Sequence, residues 1–425
     1  MGPADMGKSS RWLSLGKVLL LALTLGYVGL IAGEMVQQLR DWPLLHRERD
    51  FPWYYLTARR VWQGKDFYQG LREEARSLGI ADYFIDYAVA PPTFALAVAP
   101  LALFPYPAAW GIWQALSLLA LAGSLALAVR ALRPAFPPST WPVWGCLVLL
   151  YPPLSFHLVY AHTELFILLL LTAAWVSLRR GWEIPAGLLL ALAGVTRLYP
   201  LFFLLLLLQR RAWKALLAAL AGGAGWVLLA GLASGPEAYL RYLEVLRSGI
   251  STFYPRWGNA SLWGVLFKAS VLWPPLGQRP GLLDGLAALL SLGLLGGTLA
   301  LTWKDAHLPT SLDRHFALFI AAVLLVSPLS WVYYQVLLYL PFLLLLAAWR
   351  EGRLPRRLRG LVVVSWALAF APLFQAIPGL GSTLTAFLLI LPPAGLYPAL
   401  AGMKLYNHAS LCYNPPRTGH NAGGL

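Results

Sequence analysis

The sequence predicts an all-α polytopic membrane protein with about twelve transmembrane helices, each near the roughly 20 mainly apolar residues that a span requires. Three observations carry that expectation. Of the 425 residues, 59% are hydrophobic and only 12% charged, roughly half the charged share of a soluble domain. Apolar runs such as 18–32, 116–129 and 316–326 recur along the chain with short polar breaks. The 38 Gly, 32 Pro and 19 Trp suit helices that break near polar sites and carry interfacial aromatics, and the alternating pattern of a β-barrel is absent. The net charge of +15 does not indicate a nucleic-acid partner, because the basic residues lie in short loops between apolar runs, where they set membrane orientation. Two cysteines, Cys146 and Cys412, supply no disulfide framework.

Lys8, Arg11 and Lys17 precede or open the first span, 15–33, so the N-terminus is expected in the cytoplasm and the span is read as a retained anchor. Residues 34–87 form the longest polar stretch, a large first extracytoplasmic loop. It holds nine of the eighteen carboxylates: Glu34, Asp41, Glu48, Asp50, Asp66, Glu73, Glu74, Asp82 and Asp86. Residues 88–104, with Pro91, Pro92 and Pro100, are read as dipping into the membrane without crossing, which keeps Arg130 and Arg133 inside. The alternative makes 88–104 a true span and 184–208 a single one. Clusters at Arg179-Arg180, at Arg210, Arg211 and Lys214, at Lys304 and from Arg350 to Arg359 mark cytoplasmic turns. Outward turns then fall near 157–164, 197–200, 235–260, 327–335 and 376–382. The polar, aperiodic tail 404–425 is expected to be disordered in the cytoplasm.

Ionisable side chains are costly in a bilayer and usually face a cavity or a partner. Four groups therefore stand out. Asp50 lies among aromatics in Arg49-Asp50-Phe51-Pro52-Trp53-Tyr54-Tyr55, either as an exposed loop acid or as a general base or cation ligand. His157, His162 and Glu164 precede or open a long apolar helix. Glu164 is either a helix cap or a functional acid, and metal ligation by the three is a further option, although their spacing is not that of a paired zinc site. Arg197 stands alone between apolar runs, suited to grip a phosphate or simply to snorkel. The fourth group, Ser327-Pro328-Leu329-Ser330-Trp331-Val332-Tyr333-Tyr334-Gln335, presents aromatics and hydroxyls at a proline break, as an aromatic belt or as a ligand lining.

An ordered set of motifs resembles glycosyltransferase family 87, the polyprenyl-phosphate-dependent membrane glycosyltransferases of GT-C fold. The set comprises Asp50-Phe51 with Tyr54-Tyr55, Gly64-Lys65-Asp66-Phe67-Tyr68, Tyr87 with Pro91-Pro92 and Pro100-Leu101, and His162-Thr163-Glu164. It continues through Arg197-Leu198-Tyr199-Pro200, Asn259-Ala260-Ser261-Leu262 and Ser327-Pro328-Leu329-Ser330-Trp331. The resemblance implies a GT-C-like domain over residues 1–403, with its active site on the outer face of the cell membrane and both termini cytoplasmic. It implies inverting transfer of one sugar from a polyprenyl-phosphate donor to an envelope glycan or glycolipid, with no cofactor and no metal. Asp50 would be the catalytic base, with Asp66 a weaker candidate. Arg197 and Tyr199 would hold the donor phosphate, and His162, Glu164, Asn259, Ser330, Tyr333 and Tyr334 would contact the substrates. Two positions depart from the family pattern: Ala161-His162 replaces a common Gly-Gln, and Tyr333-Tyr334 replaces a histidine. The alternatives are a multi-span secondary transporter or lipid-linked-glycan transporter, which would place its site between internal repeats, and a non-catalytic scaffold. No second copy of any of these motifs is present.

Overall fold

Proline and glycine placement decides where this apolar chain stays in one helix and where it breaks. The computed structural model describes residues 3–41, 49–80, 85–371 and 388–405. α1 (Pro3–Arg40) is followed by α2 (Phe51–Trp62), α3 (Leu71–Ser77), α4 (Pro92–Val98) and α5 (Tyr106–Ala131). Next come α6 (Trp141–Leu149), α7 (Pro152–Tyr160), α8 (Glu164–Arg179), α9 (Glu183–Thr196) and α10 (Phe203–Gln209). α11 (Trp213–Ser234), α12 (Glu237–Glu244), α13 (Leu262–Leu272), α14 (Pro274–Gly277) and α15 (Pro280–Trp303) lead to α16 (Leu312–Val326), α17 (Tyr339–Arg350), α18 (Arg356–Leu368) and α19 (Leu391–Ala401).

The expected count of about twelve spans is corrected by this arrangement. Among the described residues, six helices are long and apolar enough to cross a membrane: Leu15–Arg40, Tyr106–Ala131, Trp213–Ser234, Pro280–Trp303, Pro309–Val326 and Val332–Arg350. A seventh arises if Pro138–Leu149 and Pro152–Tyr160, bent by 57°, form one broken span. The physical reason is backbone chemistry: proline removes a helical hydrogen bond and clashes with the preceding turn. Apolar runs that look continuous in composition are therefore cut at Pro152-Pro153 and Pro200, and α8, α9 and α10 each fall short of a span. Residues 88–104 contain only the apolar segment Pro92–Leu103, which at ~1.5 Å per residue is too short to cross. The outer turn near 376–382, Cys412 and all of the tail beyond 405 lie outside the described residues. The protein is a multi-pass integral membrane protein.

Small residues let the helices approach closely, as membrane helices commonly do. α9 and α11 form the most extensive helix pair, and a Cβ on Gly187 would collide with the Ala215 carbonyl oxygen. α1 exposes Leu19, Leu23, Leu25 and Leu30, whereas α16 is buried on nearly every face, with Phe316, Phe319 and Leu324 in the core.

The basic turns meet one another. Asp313 at the start of α16 accepts from Trp175 Nε1 (3.0 Å) and Arg179 Nη1 (3.4 Å) at the end of α8. Arg210 donates to Ser311 Oγ (3.1 Å) and the Leu308 carbonyl (3.2 Å), and Asp305 pairs with Arg314 and with His315 Nε2 (2.8 Å). The opposite ends of α8 and α16 reach the segments 162–164 and 327–335. α8 is 16 residues long, so about 24 Å separates its basic end from those segments.

Candidate active site

Several chain breaks converge on one cavity of about 390 Å³. The acidic segment 34–87 contains two short helices, α2 and α3. Pro52 opens α2, which buries Phe51, Trp53, Tyr54, Tyr55 and Leu56 and so draws the preceding Asp50 into the protein. Asp50 has N-cap position, yet its side chain makes no capping hydrogen bond. It is half-buried, and its Oδ2 is sealed from water without a hydrogen-bond partner among the described residues. Among the described residues, Asp50 is the only carboxylate that lines the cavity. Loss of water contact raises its pKa above the ordinary carboxylate value, while His162, the Tyr333 hydroxyl and Arg197 favour the charged form.

α7 ends at Ala161, whose φ of 53° is the left-handed conformation that favours glycine. That turn reverses the chain and aims His162 inward. Its Nε2 lies 4.0 Å from Asp50 Oδ2 and 2.9 Å from Arg197 Nη2. Because a guanidinium only donates, His162 Nε2 is the acceptor, so the ring is neutral with its proton on Nδ1. Nδ1 faces Glu164 Oε1 at 3.6 Å. The ring is packed by Tyr333, Tyr334 and Tyr54, with centroids at 4.5, 5.2 and 6.1 Å.

Arg197 leaves the end of α9 in extended backbone conformation, forced there by the break before Pro200. Its Nε donates to Thr163 Oγ1 (3.0 Å) and its Nη2 to the Tyr54 hydroxyl (3.2 Å) as well as to His162. Its guanidinium carbon stands 6.0 and 5.8 Å from the Trp53 and Phe94 ring centroids. Such a network costs little desolvation only if the charge has further partners or an incoming anion. Among the described residues Nη1 makes no hydrogen bond, and Arg197 lines the cavity.

The expected site residues separate into two groups. Asp50, His162, Arg197, Tyr333 and Tyr334 line the cavity together. Glu164, Tyr199, Asn259 and Ser330 stand behind its wall. Glu164 is fully buried in the first turn of α8, where Oε2 accepts from Thr163 Oγ1 at 3.0 Å. The backbone cap of that helix comes from His157, whose Nε2 accepts from the Leu165 amide at 3.1 Å, which uses the lone pair a metal would need. Tyr199 packs on Tyr334 at 5.8 Å. Asn259 is fully buried and saturated: Nδ2 donates to the Pro328 and Tyr254 carbonyls (3.0 and 3.3 Å). Its Oδ1 accepts from Ser330 N, Ser261 Oγ and Ser261 N (3.1, 2.9 and 3.3 Å). It thereby ties segment 258–261 to 328–332, beside the backbone bonds from Ala260 N to Ser330 O and from Val332 N to Gly258 O. Asp66 is away from the cavity, paired with Arg241 and accepting from Tyr68 N.

Sequence reasoning did not single out Trp53, Tyr160, Phe253, Arg256 or Trp257, all of which line the cavity. A lone cation in Tyr254-Pro255-Arg256-Trp257-Gly258 is the signal that could have found the last three. Lys268, a single lysine in the apolar α13, is likewise buried and donates to the Trp257 and Asn259 carbonyls (3.0 and 2.7 Å).

The family model of glycosyltransferase family 87 matches residues 89–328, more than half of the chain. The match includes His162, Glu164, Arg197, Tyr199 and Asn259 and stops short of Asp50 on one side and Ser330, Tyr333 and Tyr334 on the other. None of the curated proteins matches the chain.

Proposed function

Since the chain belongs to glycosyltransferase family 87, we propose that it transfers one sugar, with inversion, from a polyprenyl-phosphate donor to an envelope glycan or glycolipid at the outer face of the membrane. The supporting observation is Asp50: a carboxylate with a water-shielded oxygen that has no hydrogen-bond partner among the described residues, in a cavity that also holds the Arg197 guanidinium. The acceptor hydroxyl gives its proton to Asp50 as its oxygen bonds to C1. The C1–O bond to phosphate breaks, and its electron pair leaves with the polyprenyl phosphate. General base catalysis of this kind contributes typically about 10² to 10⁴-fold.

Arg197 meets the charge that develops on the departing phosphate, the role for which preorganised cations are most effective. Neutral His162 bridges Arg197 and the vicinity of Asp50, holding base and cation at a fixed separation. Tyr333 and Tyr334 offer hydroxyls and ring faces to the sugar, and Glu164 and Tyr199 brace His162 and Tyr334 from behind.

The outward orientation follows from charge. The basic end of α8 and α16 is cytoplasmic by the positive-inside rule, which puts the cavity end outside. α1 ends near the cavity side, where Glu34 pairs with Arg49 at 3.2 Å, so its N-terminal end is cytoplasmic. Lys404 is bonded to Arg353 in a basic turn, on the same side.

Asp50→Asn tests the reading, since it keeps shape and removes basicity. Transfer from a polyprenyl-phosphate sugar is expected to fall by at least about 10²-fold with expression and carrier binding unchanged. Near-normal turnover in this variant would remove Asp50 as the base.

A further inference from the structure

The cavity has a second cation that the reaction above does not use. Arg256 is exposed at its edge, and its side chain makes no hydrogen bond or ion pair among the described residues; its guanidinium carbon lies 5.7 Å from the Phe253 ring centroid. Arg197, by contrast, is held by Thr163, Tyr54 and His162. Among the described residues that line the cavity, two guanidiniums face one carboxylate, because His162 is neutral. The lining is therefore biased toward an anion.

Beside Arg256 stands an aromatic wall. Trp331 lies parallel to Tyr333 (15° between planes, centroids 6.2 Å apart), Tyr333 stacks on Tyr160 at 5.4 Å, and Trp257 meets Phe156 edge-on at 6.2 Å. Trp331 itself is half-buried and lines the cavity. Flat aromatic faces of this kind suit the apolar C–H face of a pyranose ring.

This corner is rigidly built although it is short and lies at the surface. Asn259 ties the two segments together, and the buried Lys268 ammonium holds the Trp257 and Asn259 carbonyls. Trp331 rests against Gly258, where a Cβ would approach the ring to 3.0 Å. Burying a lysine and an asparagine under a surface loop is costly unless every donor finds an acceptor. Their effect is to fix the positions of Arg256, Trp257 and Trp331 relative to Asp50.

We propose that Arg256 with Trp257 and Trp331 forms a saccharide-phosphate subsite, in which a sugar ring lies on Trp331 and a phosphate ester pairs with Arg256. The proposal rests on the glycosyl-transfer reading and deepens it. Two ligands present this chemistry: the donor, through its lipid phosphate, and an acceptor glycolipid whose headgroup carries phosphate. The phosphate contact is a charge-assisted fork of the kind arginine provides.

The test uses the full chain in phosphatidylcholine nanodiscs, with binding measured by native mass spectrometry for three probes: undecaprenyl phosphate, monoglucosyl diacylglycerol, and the 6-phosphate of that glycolipid. Variants are Arg256→Ala, Arg256→Lys, Trp331→Ala and Trp331→Phe. Arg256→Ala is expected to weaken at least one phosphate-bearing probe by about tenfold or more, the loss of one charge-assisted hydrogen bond, and to leave the neutral glycolipid unchanged. Loss confined to the phosphorylated glycolipid assigns the subsite to the acceptor; loss for undecaprenyl phosphate assigns it to the donor. Trp331→Ala should weaken both glycolipids and Trp331→Phe should restore them. Unchanged affinity of all three probes in Arg256→Ala overturns the proposal, whatever the activity of the protein. Arg256-dependent binding combined with full turnover in Asp50→Asn would leave this subsite standing and remove the base assignment alone.

Discussion

Asn259 gives the sharpest separation between a substrate contact and a structural clamp. Its five hydrogen bonds, at 2.9 to 3.3 Å, go to protein groups on both sides of the junction between 258–261 and 328–332. Asn259→Ala removes them all. Each is worth roughly 0.5–1.5 kcal/mol net, and a buried amide left without an acceptor costs about 1–3 kcal/mol. Ser330 N loses its acceptor in a buried site, whereas Ser261 Oγ still reaches the Pro328 carbonyl at 3.2 Å. The expected destabilisation is therefore about 3–5 kcal/mol. Asn259→Asp should be about as harmful despite its identical shape, since the second oxygen would face the Pro328 and Tyr254 carbonyls that now accept from Nδ2. The assay is thermal unfolding in one detergent, paired with transfer kinetics well below the melting midpoint. Both variants should melt several degrees lower, with KM raised as well because Arg256, Trp257 and Trp331 lose their fixed positions. An unchanged midpoint together with a raised KM would refute this reasoning and return Asn259 to the substrate-orienting role its motif suggests.

Because burial raises the pKa of Asp50, kcat/KM should rise with pH along a limb displaced above the ordinary value of 3.8. Tyr333→Phe removes a group that favours the charged form and should move the limb higher still; a pH–rate profile reads both. For Arg197, lysine preserves charge without the fork, so Arg197→Lys should keep part of the activity, while Arg197→Ala should weaken undecaprenyl phosphate binding by about 1.5–3 kcal/mol. Equal carrier affinity in wild type and Arg197→Ala would remove the phosphate role. Ala161→Gly should raise the melting midpoint, since it relieves a left-handed alanine that costs roughly 1 kcal/mol; a lower midpoint would show that the methyl contributes more by packing than the conformation costs.

The sequence alone determined the class of protein and the identity of its chemical groups. A chain with 59% hydrophobic residues has no soluble alternative, and Asp50, His162, Arg197, Tyr333 and Tyr334 are conspicuous because polar groups among apolar runs need partners. These five do share a cavity. Composition misjudged the number of spans, because hydropathy integrates over a window and does not register that Pro152-Pro153 and Pro200 interrupt the hydrogen-bond ladder. Nor did polarity reveal that residues 51–62 form a helix, because α2 is amphipathic and buries its aromatics. Which polar residues reach the cavity was a tertiary decision. Asn259 and Arg256 lie three positions apart, yet Asn259 is consumed by five hydrogen bonds to protein groups while Arg256 lines the cavity. That difference depends on where Pro328, Ser330 and Trp331 arrive, some 70 residues later in the chain, and local sequence carries no information about when two such segments meet.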